Sequence, residues 1–343
     1  MSDFDVIIVG GGPAGSAAAL QALKMGLRPL IIERQRFPRH RPGETLPPAI
    51  EPLLNQLGAS QVLMRANFPR EVGVAVEWGG NRRFEVYGQD DHGPWLGFQA
   101  WRADFDTRML EAAQAAGAVV IQPARVKAVI WPIEAEDRRI VLQTTQGSFQ
   151  APYIVDAGGG RHWLARLRGL TIQQYSPRLL ARYGYVEGES EGLLPNPVLQ
   201  GNPDGWVWMA QVRPATYAWV CLNFFKMAPP TAPPELKSLQ TLGKTHLADV
   251  TWREVQESAG QGYFLIGDAA AVLDPASSHG VLRAIMSGMM AIHLARQVIH
   301  GDVSPLDASV LYKEWLRDWL RRDRKVLRSH YTELGLAVDQ FAV

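Results

Sequence analysis

Asp5-Val-Ile-Ile-Val9 runs directly into Gly10-Gly-Gly12-Pro13-Ala14-Gly15. The apolar run has the length of a short buried strand. An Ala-rich helical stretch follows over 13–25, and a second apolar strand over 28–33 (RPLIIE). Strand, helix and strand in about 30 residues predict a parallel sheet with a right-handed crossover. The glycines form a GxGxxG element at the strand-to-helix turn. Gly10 permits the tight turn, Gly12 lets the backbone approach a pyrophosphate, and Gly15 permits close packing of helix on strand. The helix opening at Pro13 and Ala14 presents free N–H groups and a positive dipole end. Glu33 closes the second strand about twenty residues on, where a carboxylate accepts bonds from a ribose hydroxyl. The unit reads as a dinucleotide site, without deciding which dinucleotide.

The rest of the composition narrows the class. The chain has 343 residues, enough for two or three domain-sized units. Its net charge of +1 argues against nucleic-acid binding through bulk charge. The single cysteine, Cys221, excludes an intrachain disulfide, a CxxC pair and a cysteine-based zinc site; no metal site is expected. No basic segment precedes an apolar one at the N-terminus, and no apolar run approaches the roughly 20 residues of a membrane span. A reducing cytoplasm is the expected compartment.

Further strands are expected at 71–78, three between 119 and 150, and one at 152–156. Others are expected at 181–186, 206–212, 217–223 and 264–266. Helices are expected at 103–116, 280–300 and 305–334. Region 34–48 is too rich in Pro and Arg for a helix. Pro-rich loops fall at 193–203 and 227–234.

Two later segments distinguish the dinucleotides. Asp156-Ala-Gly-Gly159-Gly-Arg-His-Trp-Leu-Ala165 is a glycine-rich turn after a strand. Gly267-Asp268 leaves another strand and leads through Asp274-Pro275-Ala-Ser-Ser-His279 into a helix at Gly280-Val281. Asp268 can accept a ribityl hydroxyl, and the Gly280 helix N-terminus suits an electron-rich flavin edge. In these segments the sequence resembles the FAD-dependent aromatic hydroxylases and their halogenase and prenyl-reductase relatives. A fourth match, WRADFDTRML at 101–110, is similar to the family's RxxFDxxL segment. The resemblance implies an α/β fold in which a Rossmann-type FAD-binding domain (1–70, 101–170 and 256–304) carries an interposed β-rich substrate domain (71–100 and 171–255), followed by a C-terminal helical segment (305–343). It implies FAD contacts from Gly10, Gly12, Pro13, Ala14, Gly15, Glu33, Arg34, Arg41, Arg102, Val126, Asp156, Gly159, Gly267, Asp268, Pro275, Gly280 and Val281. Asp106 would hold local structure.

RPGETLPP at 41–48, DPASSHGV at 274–281 and GWVWMA at 205–210 resemble the tryptophan-halogenase-like branch. Halogenases of that branch need a lysine beside the flavin, yet no lysine lies between Lys24 and Lys127, and Arg70 is the nearest basic residue. This argues against halogenation. GETLPP and the DPxSSxGV loop also resemble the small maturation flavoproteins of tryptophylquinone enzymes, the lysine-ε-oxidase and glycine-oxidase maturation proteins. The resemblance implies an FAD-dependent monooxygenase acting on an aromatic, indole-type substrate. That substrate is a small molecule or a tryptophan of a partner oxidase, with NAD(P)H or a separate reductase as electron donor. A prenyl-chain reductase, a small-molecule hydroxylase and a non-catalytic FAD-bound assembly factor are the alternatives.

Individual residues keep two readings. His279 either exchanges a proton beside the flavin or bonds backbone to position its loop. Glu44 either orients substrate or caps a helix near Pro47. Trp206 and Trp208, two apart on a strand, share a face that is either a pocket wall or core. Asp274 reads as a turn cap. The C-terminal helix carries seven basic residues from Lys313 to Arg328 against Glu314, Asp318 and Asp323. It is either packed on the FAD domain or a docking element for an acidic partner or a membrane surface.

Overall fold

The computed structural model describes residues 4–132, 139–189, 196–225 and 231–336. Parts of both Pro-rich loops, of the 119–150 region and of the C-terminal segment lie outside the described residues, as do residues 1–3.

One sheet organises the dinucleotide half. Its order is Val119–Ile121, Pro29–Ile32, Val6–Val9, Tyr153–Asp156, Tyr263–Leu265 and Ala259–Gly260. The first five strands are parallel and the last pairs as an antiparallel hairpin. Val6–Val9, Pro29–Ile32 and Tyr153–Asp156 are buried throughout, which is why they read as unbroken apolar runs. The register sets Val9 beside Asp156 and Asp156 beside Leu265. Three strand ends therefore deliver Gly10, Ala157 and Gly267 to one edge, the carboxyl edge where α/β sheets hold ligands. Helix Pro13–Lys24 covers one face and packs against helix Gly280–His300. Gly288 is needed there, since a Cβ would stand 2.6 Å from the Ala14 carbonyl oxygen.

The described residues of region 119–150 hold four strands where three were expected. Val119–Ile121 joins the parallel sheet. Val126–Ile130, Ile140–Thr144 and Gly147–Ala151 form a separate antiparallel meander, the extra break being the tight turn from Thr144 to Gly147.

The second large sheet has seven strands: Gln240–Asp249, Leu180–Glu187, Thr216–Asn223, Gly205–Arg213, Val198–Asn202, Gly73–Trp78 and Asn81–Val86. Alternation gives it two buried faces. Tyr183, Tyr185, Trp206, Val220 and Leu222 join the main core. Met209, Trp219 and Cys221 point the other way and form a smaller core with Leu236.

Helix Pro305–Glu333 is about 43 Å long at 1.5 Å per residue and spans both halves. Ser304 caps its start, accepting from Asp307 N at 3.1 Å. Its first half is pinned to the parallel sheet by Tyr312 Oη donating to Leu265 O (2.6 Å) and Ser309 Oγ donating to Ala259 O (2.8 Å). Its far end reaches the seven-stranded sheet, where Trp78 Nε1 donates to His330 O at 2.6 Å. Among the described residues no helix is long and apolar enough to cross a membrane.

Candidate functional site

The glycine turn is built by backbone contact. Gly10 sits at φ +116, and a Cβ there would lie 2.3 Å from Ala157 O. At Gly15 a Cβ would lie 1.9 Å from Gly10 O. Glu33 is buried at the end of its strand. Its two carboxylate oxygens accept from Gly11 N and Gln35 N, each at 2.8 Å, which ties strand end to glycine turn.

The basic side chain at this turn is Arg39. A Cβ on Gly12 would meet only an Arg39 guanidinium nitrogen, at 2.8 Å. Arg41, one of the two loop arginines expected at the cofactor, reaches Gln35 Oε1 at 3.4 Å. The Arg39 guanidinium lies 4.7 Å over Phe37 and 3.7 Å from the Asp106 carboxylate. Its Nε is buried with no acceptor among the described residues. Burial pushes its pKa down, against the pull of Asp106. Arg34 is likewise pushed down, first by burial and then by Arg161 and Arg41. An anion at this crevice would relieve both conditions, so the residues present fit a pyrophosphate.

Asp106 also takes the fork of Arg102, through Nε at 2.8 Å and Nη2 at 3.1 Å. Arg102 Nη1 donates to Pro42 O at 2.8 Å, so the pair anchors the GETLPP segment on helix Arg102–Ala115. Val126 is half-buried at the start of the meander.

The second signature folds onto itself. Asp156 is fully buried, and its carboxyl accepts from Gly158 N (2.8 Å) and Leu164 N (3.3 Å). It therefore shapes the turn, while Gly159, at φ +78, has open space beside it. His162 joins this turn to the third signature. Its Nε2 accepts from Arg253 Nε at 2.9 Å, leaving Nδ1–H to donate to Ala269 O at 2.9 Å. Gly267 N donates to Ser287 Oγ at 2.8 Å, which aims exposed Asp268 outward. Pro275 opens a short 3-10 turn capped by Asp274, as read from the sequence. Gly280 begins the long helix beside open space, and Val281 behind it is buried.

His279 is committed to the C-terminal helix. Its Nδ1 lies 2.9 Å from Asp323 Oδ1, and Arg283 donates to Asp323 Oδ2 at 3.2 Å. The imidazole thus ties the Asp274–His279 loop to the C-terminal helix. The same helix supplies Tyr331, which donates its hydroxyl to buried Asp274 and accepts from Trp206 Nε1 at 3.3 Å. Trp206 is therefore core at this junction. Trp208 stays half-buried on the same sheet face.

Glu44 does not cap a helix, since helix Ile50–Gln56 starts from Ala49. Its buried carboxyl accepts from Gly43 N and from Tyr185 Oη, both at 2.8 Å. Burial pushes it up to about 7, against the hydrogen bond from Tyr185 and the charge of Arg102. Around the Tyr185 ring stand His40 and Trp101, with Trp101 and Tyr185 at 4.7 Å between ring centres and Arg213 4.5 Å over Trp101. Burial also holds Glu71 and Asp156 up at about 7. Sequence reading missed Arg39, Tyr185, Asp323 and Tyr331. The i, i+4 pairing of Arg102 and Asp106 was the one signal pointing to a buried ionic knot there.

Two outcomes follow. Arg39→Gln should weaken FAD binding about 10–100-fold, the loss of one charge-assisted contact, read by fluorescence titration of the apoprotein. For Glu44 the folded state binds the proton more tightly than the unfolded chain, so stability is lost as pH rises from about 4.5 to about 7. Glu44→Gln should recover up to about 3 kcal/mol of that loss, compared by urea denaturation at about pH 5 and about pH 8.

Residues 3–196 match the family model described as an FAD binding domain. The chain is 27% identical to a tryptophan 2-halogenase of Chondromyces crocatus over 96% of its own length and 68% of the relative's. It superposes on the flavin-dependent halogenase CmlS with a TM-score of 0.85 at 23% identity, covering 98% of this chain and 66% of that one, so it spans slightly less than two thirds of that protein. It superposes on QhpG, a peptidyl tryptophan dihydroxylase essential for tryptophylquinone cofactor biogenesis, with a TM-score of 0.73 at 19% identity, covering 97% and 76%. With the matched model covering more than half the chain, this protein belongs to the FAD binding domain family, and FAD is its cofactor.

Proposed function

We propose that the protein is an FAD-dependent monooxygenase that inserts oxygen into an indole-type ring, and that the ring is a tryptophan of a partner oxidase being matured into a tryptophylquinone. The observation that carries the first part is the missing lysine. The sequence has none from 25 to 126, and Arg70, the nearest substitute, is spent elsewhere. Its guanidinium donates to Glu51 at 2.8 Å and lies 4.5 Å over Phe98. A guanidinium so bonded is a poor carrier for an electrophilic halogen. The likeness to QhpG supports the protein-bound substrate.

Bound FAD, once reduced, supplies two electrons to O2. Arg39 and the Gly10–Gly15 turn would bind its pyrophosphate, and the helix end at Gly280 would face the flavin ring. Glu44, held near neutral pH by burial, holds or releases a proton at Oε1 through Tyr185 Oη. Buried Tyr185, packed against Trp101, shields that carboxyl from water, and exposed His40 beside both rings would offer an aromatic face to an indole.

A second reading, halogenation, is favoured by the names of the relatives. Holoprotein supplied with reductant, O2, a tryptophan peptide and halide should add one oxygen atom by mass and leave halide unused. A product carrying halogen would replace the monooxygenase reading with the second one.

A further inference from the structure

We propose that a cavity on the C-terminal helix is a binding site for a pyrophosphate-class anion, separate from the FAD crevice. The cavity has a volume of about 350 Å³ and is lined by Tyr175, Arg321, Arg324, Lys325 and Arg328. It is large enough for the phosphates of a nucleotide. The four cations fall at i, i+3, i+4 and i+7, a single helical face. Like charges at i and i+4 (Arg321 with Lys325, Arg324 with Arg328) repel and weaken a helix by a few tenths of a kcal/mol per pair.

Packing does not require that arrangement, because Arg321, Lys325 and Arg328 are exposed while Leu316, Leu320, Leu327 and Tyr331 make the buried stripe. Among the described residues no carboxylate lines the cavity. The counter-ions at hand are Glu254, 3.5 Å from Arg324, and Asp318, paired with Arg321 where both side chains are more than half exposed. The exposed Arg321–Asp318 pair contributes little, whereas Arg324 and Glu254 are largely buried. Arg324 is pre-set, its guanidinium 3.8 Å over the Tyr175 ring. Arginine forks and a lysine point charge around a recessed aromatic floor are the chemistry that holds phosphate oxygens. Asp323, on the opposite side of this turn, holds His279 and Arg283, so an occupied cavity would lie within one helical turn of the brace on the Asp274–His279 loop.

FAD-loaded protein is titrated with inorganic pyrophosphate by calorimetry. One saturable site per chain is expected, weakened at least about tenfold in K325E/R328E and less in K325Q/R328Q, with flavin absorbance and melting temperature unchanged. Competition identifies the natural source. Displacement by NADPH assigns the site to a nicotinamide dinucleotide, and displacement by ATP without NADPH assigns it to a nucleoside polyphosphate. No saturable binding, equal binding in the charge-reversed variant, or release of FAD by pyrophosphate would overturn the proposal.

Discussion

Alanine at Gly15 is expected to destabilise the protein by more than about 4 kcal/mol and to leave it without FAD. The added Cβ would stand 1.9 Å from the Gly10 carbonyl oxygen and 3.2 Å from the Ala157 Cβ. Neither neighbour is the far end of a flexible side chain. Gly10 is fixed by its own bond to Ile32 O (2.9 Å), and Ala157 by its bond to Val9 O (2.9 Å). Relief would require prising helix Pro13–Lys24 off the strand ends, which would also part it from helix Gly280–His300. Gly12→Ala is the informative contrast. Its Cβ meets only a terminal nitrogen of Arg39, so the fold should survive while FAD affinity falls. Urea denaturation and flavin-to-protein absorbance ratios separate the two. A stable, flavin-loaded Gly15→Ala protein would contradict this account of the turn.

Much of this architecture can be read locally, because its determinants are local. An apolar run ending in GxGxxG specifies strand, turn and helix within one segment, and helix 280–300 begins and ends where its pattern says. Gly301, at φ +82, supplies the stop. Strand-end acids such as Glu33 and Asp156 are visible for the same reason, although the structure turns Asp156 onto its own loop. The residues that escaped are those whose partners lie far off in sequence or in irregular backbone. In 34–48 no period says which arginine faces the glycines, so Arg39 and Arg41 look alike until the loop is folded. Glu44 meets Tyr185 across 141 residues, and nothing near either announces the other. The amphipathic stripe of the last helix shows that one side is buried. It does not show that the helix braces the Asp274–His279 loop.

That brace carries the other large expectation: Tyr331→Ala should cost about 3–5 kcal/mol, the range for emptying a buried aromatic site. The Tyr331 ring is stacked on Trp78 at 6.2 Å and on Trp252 at 5.6 Å, with Phe224 edge-on at 5.1 Å. Its hydroxyl ends on Asp274, which is 1% exposed and caps the Pro275 turn through Ala276 N at 2.9 Å. Burial holds both acids up, Tyr331 well above its ordinary range, and the phenol donates to the Asp274 carboxyl. Tyr331→Phe keeps the packing and deletes the donor, at an expected cost of about 1–3 kcal/mol. If the helix merely covers a surface, Tyr331→Phe and Asp274→Asn should add independently. If it braces the loop, the pair should couple by about 1 kcal/mol or more, and both single variants should release FAD faster than the parent protein while melting cooperatively. A double-mutant cycle with flavin-release kinetics distinguishes the cases. Additive variants with unchanged flavin release would reduce the C-terminal helix to packing alone.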